Sequence, residues 1–93
     1  MFIGTLKIHL IAEWCHSLKE KRMIVNKIID NSRHKFNISI GEIEDLDMHN
    51  SIILGVALVS NSKRHAESSI QNVLNYIETL TEAVIVDSFI EIL

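Results

Sequence analysis

Ser51-Ile-Ile-Leu-Gly-Val-Ala-Leu-Val59 is the stretch that decides the fold. From Ile52 to Val59 it is nearly all apolar, as expected of a strand in the middle of a sheet. Immediately upstream, Asp45-Leu-Asp-Met-His-Asn-Ser51 is polar and reads as a turn. Before it, Asn37 to Leu46 alternates Ile38 and Ile40 with Ser39 and Gly41, the period of a second strand. That period also runs through Phe2 to Ala12, where Phe2, Leu6, Ile8 and Leu10 point one way and Thr5, Lys7 and His9 the other. Between these two strands lies a loop, Glu13 to His16, and then a helix. Ser17 and Glu20 form the S-x-x-E capping pattern. Leu18, Val25, Ile28, Ile29 and Phe36 gather on one side of the helical wheel, carrying the helix to about Lys35. Downstream of the apolar stretch, Asn61 or Ser62 caps a second helix with Ala66, Ile70, Val73, Leu74 and Ile77 at helical spacing. Leu80 to Glu82 turns the chain. Ala83 to Leu93 closes it as a strand containing Val84, Val86, Phe89 and Ile92.

The resulting β-α-β-β-α-β order predicts an α+β, ferredoxin-like sandwich, with residues 1–93 as one domain. Two βαβ halves with right-handed crossovers pair most simply as a four-stranded antiparallel sheet of order 4-1-3-2, both helices on one face. The start of the first helix, the hairpin between strands two and three, and the loop before strand four then meet at one end. Parity leaves Ile3, Thr5, Lys7, His9 and Ile11, with Ile53, Gly55, Ala57 and Val59, on the open face.

Composition sets the bounds. A chain of 93 residues buries only somewhat more than ~60% of its unfolded surface. It must use its apolar residues efficiently or share a face with a partner. Those residues make up 47% of the chain, and mean hydropathy is +0.21. Lys7 and His9 interrupt the longest candidate membrane span, and no signal-peptide pattern is present. Cys15 is the single cysteine, which excludes an internal disulfide and a CxxC metal site and suits a reducing cytoplasm. Net charge is −3, unevenly spread. Lys19, Lys21, Arg22, Lys27, Arg33 and Lys35 face only Glu20 and Asp30 in the first helical segment, which is therefore cationic.

A cation near a helix N-terminus opposes the macrodipole by roughly 0.3–1 kcal/mol, yet Lys19, Lys21 and Arg22 crowd this one. A local rule broken in this way marks a candidate functional site. Lys19, Arg22, Asn26 and Arg33 share a flank of the wheel that could follow a phosphate backbone. The structural alternative is that the cations pair with Asp45 and Asp47 of the hairpin, or solvate a helix face. The open face lacks the aromatics that an RNA-recognition motif places on its central strands, and reads better as a surface for another sheet or subunit. His9, His16, His34, His49 and His65 form no HxH, HxxxH or HxxE pattern, so no metal is expected, although His16 and His49 share the hairpin end. Cys15 and His16 are adjacent and point apart, without an orienting third group. Gly4, Gly41 and Gly55 are isolated within strands, no phosphate-cradling motif is present, and no cofactor is expected.

Ser17-Leu-Lys-Glu-Lys-Arg22, then Phe36-Asn-Ile-Ser39, Glu42, and Leu54-Gly-Val-Ala-Leu-Val-Ser60 with Asn61 and His65, closely resemble the YlxP-like family of small bacterial proteins. The resemblance covers nearly the whole chain, matches Asp47 as well, and implies a ferredoxin-like fold. Members' genes commonly lie among those for transcription-termination factors, translation-initiation factors and ribosome-binding factor A, which implies a role near the ribosome. The resemblance carries over no catalytic residue set. Relatives often have tryptophan where His49 stands and arginine where Ser51 stands, which implies weaker or different binding here.

Residues and resemblance together lead to the expectation of a non-enzymatic, cytoplasmic, ribosome-associated RNA-binding protein of the small-subunit maturation or translation type. Lys19, Lys21, Arg22 and Arg33 would hold phosphates of ribosomal RNA, with neither DNA nor membrane as a partner. The competing expectation is a protein–protein interaction module using the open sheet face, as a homodimer. A net charge of −3 favours this over indiscriminate nucleic-acid binding.

Overall fold

The computed structural model describes residues 1–93. Elements follow in the order β1 (Phe2–Ile11), α1 (Leu18–Lys35), β2 (Ser39–Glu44), β3 (Ser51–Ser60), α2 (Lys63–Leu80) and β4 (Val84–Ile92). The sheet runs β2-β3-β1-β4 with every neighbouring pair antiparallel, the expected 4-1-3-2 order counted from the other edge. β1 and β3 pair along their full length, from Phe2 opposite Ser60 to Ile11 opposite Ser51.

Strand parity builds the core. Leu6, Ile8 and Leu10 of β1 and Ile52, Leu54, Val56 and Leu58 of β3 face the helices. They meet Val25 and Ile28 of α1 and Ala66, Ile70, Val73 and Ile77 of α2 in one contiguous cluster. Each fully buried side chain of this size contributes about 1.5–3 kcal/mol. Gly4 lets α2 approach β1 closely, since a Cβ there would lie 2.7 Å from Ile70 Cγ1. Ser62, one of the two expected caps, starts α2 by accepting the His65 N–H at 3.2 Å. At the far end of α1, the Phe36 N–H bonds to the Ser32 carbonyl at 2.9 Å. The Phe36 ring meets Tyr76 edge-on at 5.5 Å, and the Lys35 ammonium lies 4.8 Å over the Tyr76 ring. These contacts join the end of α1 to the outer side of α2.

The edge strands depart from simple alternation. β2 is shorter than expected, and its pairing slips between Glu42 and Glu44. Ile43 there covers the open side of Gly55, whose added Cβ would lie 3.0 Å from Ile43 Cγ2. In β4 the register steps from His9 opposite Asp87 to Leu10 opposite Ile85, leaving Val86 as the bulged residue. Ile85, Ile90 and Ile92 pack against the core, whereas Val84 and Phe89 are exposed opposite Ile11 and Lys7. The apolar set read from the sequence in this strand therefore divides between two faces. Leu18, placed in the buried stripe of α1, is exposed at its rim. No helix is long and apolar enough to cross a membrane.

Candidate nucleic-acid interface

The start of α1 is fixed by its cap. Ser17 has extended backbone angles, and its Oγ accepts the Glu20 N–H at 3.1 Å. The glutamate does not reach back to the backbone as a full capping box requires. Its Oε1 instead receives the Ser17 hydroxyl at 3.4 Å. Cys15, just before the cap, is fully buried and directs its thiol to the Ser17 carbonyl at 3.4 Å. It is a core side chain, and His16 beside it is exposed.

Lys21 requires a correction. It was expected on the surface with the other cations, but it is only 2% exposed. Its Nζ donates to the carbonyls of Asp45 at 2.6 Å and Met48 at 2.7 Å. Glu42 Oε2 completes the site at 2.7 Å, as a charge contact lying outside hydrogen-bond alignment. A buried ammonium is tolerated only when paired and hydrogen-bonded, and this one is both. The reason is visible on the wheel. Lys21, Val25, Ile28 and Ser32 recur at helical spacing, and all four are buried. Lys21 therefore occupies the inward stripe at the point where the sheet ends and the hairpin begins. It binds the hairpin to the helix and is not available to a phosphate.

The hairpin is shaped to receive it. Asp45 adopts a positive φ of 55° and its carbonyl also accepts the Met48 N–H at 3.0 Å. Asp45 Oδ2 accepts the Ser51 hydroxyl at 2.7 Å, and Ser51 Oγ lies 2.8 Å from His9 Nε2. With its only hydrogen directed at Asp45, Ser51 must accept from His9, so Nε2 is the protonated nitrogen. Residue-type reading missed this chain from the open face to the hairpin. The register that pairs His9 with Ile53 and Ile11 with Ser51 is the signal that places the two side chains together.

The remaining expected residues are exposed. Lys19 and Arg22 are exposed, while Arg33 donates Nη2 to the Ile40 carbonyl at 3.3 Å and is otherwise exposed. Ion pairs within 4.0 Å form only between Lys7 and Glu44 and between Lys21 and Glu42. The alternative pairing with Asp45 and Asp47 is thus not realised by Lys19, Arg22 or Arg33. Leu18, Arg22, Glu42, Leu46 and Asp47 do line one cavity with Lys21, of about 280 Å³, where cation and carboxylates share a wall. From Lys19 to Arg33 the flank is ~21 Å long at 1.5 Å per residue, enough for several successive phosphates.

The open face carries a second candidate surface. Lys7, His9, Glu44, Ile53, Asp87 and Phe89 surround a depression on it. Phe89 is 61% exposed, so the face has one aromatic, on the edge strand β4. Val59 and Val84 are similarly exposed.

The architecture is that of a ferredoxin-like sandwich. A solved de novo designed protein with a ferredoxin fold matches it with a TM-score of 0.62 at 17% identity, over 98% of this chain and 86% of that one. By sequence the chain belongs to the family described as Protein of unknown function (DUF503), whose model matches residues 3–90. It is also similar to the uncharacterized protein YlxP of Bacillus subtilis (strain 168), at 36% identity over 80 residues, 86% of this chain and 87% of that protein. The family resemblance carried by Ser17–Arg22 and Leu54–Ser60 is therefore correct.

Proposed function

We propose that this chain is a non-enzymatic RNA-binding protein that associates with the small ribosomal subunit, in its maturation or in translation. The observation that supports the reading is the outer flank of α1, where Lys19, Arg22 and Arg33 are exposed and have no carboxylate within 4.0 Å. Unpaired cations in a row hold phosphates without reading bases. The setting near the ribosome comes from the family resemblance. With Lys21 withdrawn from the surface, the α1 flank keeps three contacts, which contribute a slope of about −2 to the fall of log affinity with log salt for a single strand. Co-sedimentation with small ribosomal subunits across a salt series tests this. The Lys19→Glu, Arg22→Glu double variant should remain in the supernatant. Its pelleting like wild type would sink the reading.

A second reading is favoured by the exposed Phe89, Val59 and Val84 on the sheet face: a protein-interaction module, pairing as a homodimer through that face. Sedimentation velocity should then show a dimer that Phe89→Glu dissociates. A concentration-independent monomer would dismiss the homodimer.

A further inference from the structure

The strand connections at the two ends of the sheet differ in charge. Residues 42–50, which form the hairpin end, contain Glu42, Glu44, Asp45 and Asp47 and no lysine or arginine. At the opposite end, α1 finishes and leads into β2, while β3 finishes and leads into α2. The two segments that do this, residues 31–41 and 56–66, contain Arg33, Lys35, Lys63 and Arg64, together with His34 and His65, and no aspartate or glutamate. Between these segments lies a cavity of about 250 Å³, with the four cations beside it in the chain and outside its lining. Phe36, Leu58 and Val59 supply apolar walls, and Asn37, His65 and Ser69 supply polar ones. His65 Nε2 and Ser69 Oγ lie 3.4 Å apart, a loose contact that leaves both groups able to bond elsewhere.

We propose that this end of the molecule is a nucleotide-binding site for single-stranded RNA, in which the cavity takes one unstacked base and Lys63, Arg64 and Arg33 hold the flanking phosphates. The proposal rests on the RNA-binding reading above and extends it to residues outside the α1 flank. The cavity is smaller than the roughly 300–1,000 Å³ typical of drug-sized ligands, so it suits a single ring rather than a whole cofactor. Single-strand recognition combines such features: apolar and aromatic surface for a base face, polar groups for its edge, and cations for the backbone. Arg33 precedes the cavity residue Phe36 by three positions, so a strand lying along α1 would pass from Lys19 and Arg22 toward this end.

Two probes separate the parts of the site: an end-labelled single-stranded RNA of mixed sequence, and inorganic polyphosphate, which has the charge but no base. Lys63→Glu, Arg64→Glu should weaken binding to both and reduce the salt slope for RNA by roughly 0.7 per cation removed. His65→Ala should weaken RNA binding by roughly tenfold while leaving polyphosphate binding unchanged. Should the charge-reversed variant fail to fold, Lys63→Gln, Arg64→Gln replaces it, with thermal melting as the check. Wild-type RNA affinity in the folded Lys63/Arg64 variant overturns this proposal. If Lys19→Glu, Arg22→Glu loses RNA at the same time, the broader reading stands. If that variant also binds as wild type, both fail. Equal loss of RNA and polyphosphate in His65→Ala overturns the base cavity.

Discussion

Two cations of α1, Lys21 and Arg33, are treated in opposite ways. Near the start of the helix, Lys21 is drawn inward and surrounded by two carbonyls and a carboxylate. At its finish, Arg33 reaches one carbonyl and Lys35 lies over the Tyr76 ring, neither with a carboxylate partner. The first arrangement uses charge as internal structure, and the second leaves it available to a ligand. A row of lysines and arginines is therefore not one surface, and its members must be sorted by which side of the helix they occupy.

The sharpest way to break this comparison is to remove the inward charge. Lys21→Met should destabilise the protein by about 3–5 kcal/mol, because Glu42 and two carbonyls lose their partner in a buried site. Urea unfolding monitored by circular dichroism measures it, and a change below ~1 kcal/mol would place Lys21 with the surface cations. Next in size is Ser51→Ala, which leaves His9 Nε2 and Asp45 Oδ2 without their shared partner. About 1–3 kcal/mol should be lost, seen as a lower melting temperature with the hairpin resonances shifted by NMR. At the outer end, Lys35→Ala removes only an exposed cation–π contact. Its stability should fall by about 0.5–1 kcal/mol in the same urea experiment.

The smallest effect has the opposite sign. Lys19→Glu puts an acid in the first turn of α1, where the dipole favours it, and should stabilise by about 0.3–1 kcal/mol while RNA affinity falls. A variant that loses both stability and binding would mean that Lys19 is structural like Lys21.

Much of this was legible beforehand. The alternation of β1, the apolar run of β3 and the Ser17 and Ser62 caps are local patterns, and local patterns were enough for the topology. Lys21 was legible in principle, since its spacing to Val25, Ile28 and Ser32 places it inward. It was hidden by its charge and by its partners. Two of them are backbone carbonyls, one on a residue with positive φ, and no side-chain pattern announces either. The exposure of Val84 was hidden by the bulge at Val86, which breaks parity within β4 and depends on pairing with β1. The contrast in charge between the connections likewise emerges only once the topology brings distant segments to a common end.

The Lys21 ammonium has one more consequence, for cooperativity. A six-residue connection such as Asp45–Asn50 would ordinarily open independently of the sheet, with its amides exchanging at the low free energies of mobile loops. Fastened through Asp45 and Met48 to a buried helix position, it can open only when the first turn of α1 lets go as well. The hairpin and the helix start should therefore exchange hydrogen as one unit, and Lys21→Met should split that unit in two.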